Sequence, residues 1–236
     1  MIDLHSHILP GVDDGARTFE DSLEIIRELS EQGVTDIVAT PHYINETMYT
    51  SSRAENSRVM EQLRAVLADA GIDVRLYLGN ELYIDKELYD FVKQGQVATM
   101  AGSDYILVEL PLNEAYPNYI DILGSLIDRG LKVILAHPER YLIVQDDESV
   151  VDELCDLGVQ LQCNLGSFTR QNGKDAEKAA VRLAKNKQIF AVGSDIHHPR
   201  KNDSILKAQK KLRKYYNERE LEQILVTNPR QVLGVV

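Results

Sequence analysis

With 236 residues, 44% of them hydrophobic, the chain can bury a sizeable core, and its length suits one α/β domain spanning 1–236 rather than two. Its 37 acidic residues against 26 basic ones give a formal charge of −11, and no Lys/Arg block is long enough to track a phosphate backbone, which argues against nucleic acid as a partner. Cys155 and Cys163 are too few for a disulfide framework, and the chain has neither a signal-peptide pattern nor an apolar run of about eighteen residues, so a cytoplasmic protein without membrane insertion is expected.

The chain opens on an apolar strand ending in His5-Ser6-His7, and the two-residue period of a strand puts both imidazoles on one face. Leu9-Pro10-Gly11-Val12-Asp13-Asp14-Gly15-Ala16 reads as a tight polar loop facing the same side. Thr18 with Asp21 predicts a cap for a helix over 19–32 that stops at Gly33, and a second strand over 34–40 delivers His42. A helix over 53–70 ends at Gly71; strand 74–78 then delivers Glu81. After a shorter helix over 85–93, strand 105–110 carries Glu109. Ile120, Leu123 and Ile127 mark a helix closed by Gly130, and strand 132–136 delivers His137. Val150, Val151 and Leu154 mark another, ending at Gly158, but strand 159–163 delivers only Asn164-Leu165-Gly166-Ser167 and is the one strand without a strong ligand. A helix over 176–184, a seventh strand over 189–192 and Asp195-Ile196-His197-His198 follow, and helices over 203–216 and 219–226 close the chain.

Helix, glycine, apolar strand and polar side chain recur in that order, which predicts a parallel sheet with crossover helices. Seven such units predict a closed or nearly closed β/α barrel with its functional side chains at the C-terminal strand ends. A doubly wound open sheet is the alternative, and it would leave ligands from distant strands too far apart to share metals.

All six histidines fall at predicted strand ends, where Glu81 and Glu109 add carboxylates that are expensive to desolvate without a cation. The set contains no thiolate, and mixed imidazole and carboxylate ligands suit Mn, Fe or Zn in a polynuclear site. Ions held a few ångströms apart acidify water and clamp a phosphoryl group, so phosphoester hydrolysis is the natural use. Arg140, Arg200 and Arg17 lie near these strand ends, and a guanidinium fork binds phosphate at two points; a structural ion pair is the competing reading for Arg140, and plain solvation for the other two. Cysteine-based phosphatase chemistry needs an Arg six residues after the nucleophile, yet Leu161 and Thr169 occupy those positions. A Gly-x-Ser-x-Gly elbow is also missing. Tyr43 and Tyr141 could offer ring surfaces to an aromatic substrate or simply pack.

At these residues the chain resembles the polymerase and histidinol phosphatase (PHP) family, over nearly its whole length. Within it, Asp3-Leu4-His5-Ser6-His7-Ile8-Leu9-Pro10-Gly11-Val12-Asp13-Asp14-Gly15, Thr40-Pro41-His42, Gly79-Asn80-Glu81-Leu82, Glu109-Leu110-Pro111, His137-Pro138-Glu139-Arg140-Tyr141 and Ser194-Asp195-Ile196-His197 are similar to the bacterial capsule and exopolysaccharide protein-tyrosine phosphatases of the CpsB/YwqE type. The resemblance implies a distorted seven-stranded (β/α)7 barrel forming a single phosphatase domain over 1–236 and three divalent metal ions, Mn2+ ahead of Fe or Co and Zn less suited. One ion would sit on His5, His7, Glu81 and Asp195, a second on Glu81, Glu109 and His137, and a third on Asp14, His42 and His197, with Asp13 able to exchange roles with Asp14. Arg140 and Arg200 would be catalytic, binding the substrate phosphate. The implied substrate is phosphotyrosine in the tail of a bacterial tyrosine kinase that controls polysaccharide synthesis. A histidinol-phosphate phosphatase and a non-catalytic PHP accessory module are the alternatives.

Overall fold

The structure, a computed structural model, describes residues 1–199 and 204–235. Among them, nine parallel-paired strands line up as β1 (Ile2–Ser6), β2 (Asp36–Ala39), β3 (His42–Tyr43), β4 (Arg75–Leu78), β5 (Glu81–Tyr83), β6 (Tyr105–Glu109), β7 (Lys132–Ala136), β8 (Gln160–Asn164) and β9 (Ile189–Gly193). Around them lie α1 (Phe19–Glu31), α2 (Arg53–Asp69), α3 (Leu88–Lys93), α4 (Tyr119–Asp128), α5 (Leu142–Asp146), α6 (Ser149–Asp156), α7 (Gly173–Lys185), α8 (Ser204–Leu212), α9 (Glu218–Glu222) and α10 (Asn228–Leu233).

Two sheets result, ordered β1-β2-β4 and β3-β5-β6-β7-β8-β9. The pairs β2/β3 and β4/β5 are each one strand broken near its C-terminal end, which leaves the seven strand positions of an α/β barrel. The sequence pattern does not show these breaks. Pro41 has no N–H to continue a ladder, and Asn80 fills the gap by donating to the Pro41 carbonyl at 2.9 Å and accepting the Ala98 N–H at 2.8 Å. At the seam between first and last strands, the Asp195 N–H donates to the His5 carbonyl at 2.8 Å and the His7 N–H to the Ile196 carbonyl at 3.0 Å.

A register shift in β1 between Asp3 and Ser6 decides where the histidines point. Ile2 and Leu4 pack into an inner apolar cluster with Val38, Leu107, Ile134 and Ala191. In a regular strand His5 would face the other way, but the extra residue of a bulge flips the alternation, so Leu4 and His5 both turn inward. Val232 and Leu233 of α10 join the same cluster, so the C-terminal helix plugs the barrel at the end opposite the histidines. A larger apolar layer between strands and outer helices, including Ile25, Leu63, Val108, Leu135 and Leu183, buries the amphipathic helix faces. The cap read from Thr18 is present: its Oγ1 accepts the Asp21 N–H at 3.2 Å, and the Asp21 carboxylate accepts the Thr18 N–H at 3.3 Å.

Candidate metal centre

Among the described residues, three groups of side chains converge at the C-terminal strand ends: His5, His7, Glu81 and Asp195; His42, Glu81 and Glu109; and His7, Asp14, His42 and His197. Within each group one donor atom per residue lies within 4.8 Å of all the others. His137 joins the middle group, its Nε2 at 2.9 Å from Glu81 Oε1 and 3.5 Å from Glu109 Oε1. His137 and Asp195 adopt left-handed backbone conformations, with φ of 33° and 52°. Such strain in non-glycine residues persists where the surroundings over-determine it.

Glu81 is the hub. Its fully buried Oε2 lies 3.1 Å from His5 Nε2, 3.2 Å from His7 Nε2 and 3.1 Å from His42 Nδ1. Yet Glu81 Oε2 and His42 Nδ1 both lack a hydrogen-bond partner. His5 Nδ1 and His7 Nδ1 face acceptor oxygens, Gln162 Oε1 at 2.8 Å and Asp13 Oδ2 at 2.7 Å, which turns both Nε2 lone pairs toward Glu81 and Asp195. Lone pairs crowded on carboxylate oxygens call for positive charge. Burial opposes charge on His5, but Glu81 and Asp195 outweigh it and raise its pKa to about 9. Burial and the Glu81 carboxylate push Glu109 up to about 7. A bound cation meets the same demand, so the orphaned atoms and the thiol-free nitrogen and oxygen donors fit divalent metal ions.

The two neighbouring aspartates separate here. Asp14 Oδ1 reaches toward His42 Nε2 at 3.6 Å and His197 Nε2 at 3.5 Å. Asp13 instead stands behind His7 and also accepts the Gly15 N–H at 2.9 Å and the His42 N–H at 3.0 Å. Arg140 enters through Nη1, 2.7 Å from Asp195 Oδ2, so the ion pair and a place at the cleft wall coexist. Arg200, the other arginine expected at phosphate, lies outside the described residues. Arg17 is exposed beside Asp14 and His197 at a side cavity of about 420 Å³, which His198 also lines.

The site opens into a cleft of about 700 Å³. Tyr43 and Tyr141 do not face it: both rings are buried, and the Tyr141 hydroxyl donates to the Ala136 carbonyl at 2.6 Å while accepting the Leu110 N–H at 3.0 Å. The aromatic surface comes from Tyr49, whose ring stacks on His42 at 6.0 Å, and from Tyr83. Both lie in or beside segments that read as polar or strand-end residues, so their orientation leaves no trace in periodicity. Sequence reasoning also passed over the buried strand residues Gln162 and Asn164, which stand behind His5 and Asp195. A polar residue at an inward-facing strand position was the available signal. Cys163 is buried against Glu139, which together with burial holds its thiol pKa well above the usual value, and Cys155 is half-buried; neither is poised as a nucleophile.

The model of the family described as capsular polysaccharide synthesis, CpsB/CapC, matches residues 1–234. The chain belongs to the CpsB/CapC family. A relative in Bacillus subtilis, the tyrosine-protein phosphatase YwqE, is 32% identical over 199 residues, covering 84% of this chain and 78% of YwqE. The tyrosine-protein phosphatase CpsB of Streptococcus pneumoniae is 27% identical, covering 99% and 98% of the two chains. One of the crystal structures of Bacillus subtilis YwqE and Streptococcus pneumoniae CpsB, described as unique metal-dependent tyrosine phosphatases, superposes with a TM-score of 0.92 at 29% identity, covering 100% of this chain and 95% of that one. The parallel α/β fold of this CpsB/CapC family member is thus shared with its solved relative.

Proposed function

We propose that the chain is a metal-dependent protein-tyrosine phosphatase, a single catalytic domain over 1–236 whose substrate is phosphotyrosine in the tail of a bacterial tyrosine kinase governing capsule or exopolysaccharide synthesis. One observation carries the reading: Asp14, His42, Glu81, Glu109, His137, Asp195, His197 and Arg140 line one cleft, with His5 and His7 buried against Glu81, in a chain of the CpsB/CapC family. Three divalent ions, Mn2+ ahead of Fe or Co, are assigned to His5, His7, Glu81 and Asp195; to Glu81, Glu109 and His137; and to Asp14, His42 and His197. When bound, such ions activate water and neutralise phosphate charge.

The chain's own residues supply the rest. Arg140 offers donors to phosphate oxygens, while its contact with Asp195 fixes where the guanidinium stands. Tyr49, Tyr83, Leu110 and Leu112 form a less polar wall along the same cleft, suited to a phenyl ring. A phenolate, whose conjugate acid has a pKa of about 10, departs with less protonation than an alkoxide requires. Two free cysteines accord with a reducing cytoplasm, and among the described residues no helix is long and apolar enough to cross a membrane.

The deciding experiment measures kcat/KM for phosphotyrosine and phosphoserine peptides of identical flanking sequence, with histidinol phosphate alongside. The tyrosine peptide is expected to be the best of the three. Equal values for the peptides, or a faster serine peptide, would overturn the tyrosine assignment.

A further inference from the structure

β8 is the strand that ends without a candidate ligand, yet its inward side chains form a directed hydrogen-bond chain between two residues that are ligand candidates. The direction follows from chemistry at one end. The Asp195 carboxylate, paired with Arg140 at 2.7 Å, only accepts, so Asn164 turns its Nδ2 toward Asp195 Oδ2 at 2.6 Å. Asn164 Oδ1 is then an acceptor, and it receives Gln162 Nε2 at 3.0 Å. Gln162 is left presenting Oε1 to His5 Nδ1 at 2.8 Å. His5 must carry a proton on Nδ1 to complete that bond, so Nε2, which faces Glu81 and Asp195, is the nitrogen left to a bound cation. The far end is anchored too: buried Glu139 accepts the Asn164 N–H at 2.9 Å and the Ser167 hydroxyl at 2.7 Å.

Space for this chain depends on a glycine. A Cβ on Gly193 would sit 2.7 Å from His5 Cβ and 2.9 Å from Gln162 Nε2. Gln162 and Asn164 are essentially inaccessible to solvent, so water does not substitute for either amide.

We propose that Gln162 and Asn164 are positioning residues: one amide chain sets the His5 tautomer and holds one Asp195 oxygen, leaving His5 Nε2 and Asp195 Oδ1 free for the same ion. The proposal rests on the metal reading of the site and is independent of which phosphoester is cleaved. Partners behind a ligand typically contribute about 10–100-fold to metal affinity.

The test is calorimetric titration of metal-free wild type, Gln162→Met and Asn164→Leu with Mn2+, with Co2+ absorption as a second readout of the coordination and a thermal melt of each metal-free protein. The expected result is at least about 10-fold weaker binding of one ion and an altered Co2+ spectrum in both variants, with each metal-free protein still melting cooperatively. Gln162→Leu covers the case in which Gln162→Met does not fold. It too removes both the acceptor for His5 Nδ1 and the donor to Asn164, and weaker Mn2+ binding is expected again. Wild-type affinity and spectrum in a folded Gln162 variant overturn the proposal. Absence of Mn2+ and Co2+ binding by the wild type would instead remove the metal reading beneath it.

Discussion

His7 Nδ1 and Asp13 Oδ2 lie 2.7 Å apart, and the same carboxylate oxygen accepts the His42 backbone N–H at 3.0 Å. Although burial works against it, the His7 ring and these N–H donors hold the Asp13 pKa down to about 2. Asp13 is therefore a fixed acceptor behind a ligand candidate, whereas Asp14 faces His42 and His197.

That division predicts different losses. Asp14→Asn is expected to weaken the ion assigned to His42 and His197, with fewer ions per chain by elemental analysis. Asp13→Asn can present an amide N–H to His7, turn the ring's proton to the wrong nitrogen and lower turnover by about 10–100-fold while the fold survives. Identical metal content and rates in both variants would contradict the assignment.

Metal removal is expected to abolish phosphotyrosine turnover and lower the melting temperature, with Mn2+, Fe2+ or Co2+ restoring both, because ions that bind only the folded state stabilise it by mass action. His137→Ala and Glu109→Ala should each reduce kcat by orders of magnitude without unfolding the barrel. Full activity after exhaustive chelation, checked by elemental analysis, would be the contrary result.

Arg140→Lys is expected to lower kcat/KM by about 10-fold or more. An ammonium cannot hold Asp195 and a phosphate oxygen with the geometry of the planar fork. Steady-state kinetics on a folded variant decides it, and wild-type rates would confine Arg140 to a structural role.

The cleft wall predicts a contrast among tyrosines. Tyr49→Ala should raise KM for aryl phosphates several-fold with little change in stability. Tyr141→Phe leaves the Leu110 N–H and the Ala136 carbonyl without their shared hydroxyl, and should cost about 1–3 kcal/mol of stability. Denaturant melts and KM values for both variants check the pair.

At the opposite end of the barrel, Arg75 holds Asp36 at two points, Nε to Oδ1 at 2.6 Å and Nη2 to Oδ2 at 2.8 Å. Burial resists the charge, but Arg75 and Thr35 outweigh it and lower the Asp36 pKa. A carboxyl whose folded-state pKa is depressed adds stability above its unfolded pKa of about 3.9 and loses it as pH falls through the folded value. Asp36→Asn should therefore melt below wild type near neutrality, with a gap that closes in acid below about pH 4 and no change in turnover. A pH-independent gap would contradict the linkage.

The order of elements was legible because it depends on local pattern. Thr18 with Asp21 announces α1, glycines such as Gly33 and Gly130 close helices at positive φ, and apolar runs of strand length precede each histidine and carboxylate. Ligand chemistry was legible for the same reason, since an imidazole or carboxylate at the end of a buried strand has few low-energy alternatives to a cation or a partner.

Direction was not legible, because it depends on residues far away in the chain. The two-residue period predicts one face for His5 and His7, but only the bulge in β1, fixed by pairing with β2, turns His5 to the same side as Leu4. Asp13 and Asp14 are equivalent in sequence; the His42 N–H, 29 residues on, captures one and leaves the other facing the site. Tyr141 sits beside Arg140 yet is drawn into the barrel wall by Leu110 and Ala136. Gln162, on the strand that offers no ligand, acquires its role from His5, 157 residues away. Local sequence determined which groups this protein has to work with, and long-range hydrogen bonding and packing decided which atom of each faces the cleft.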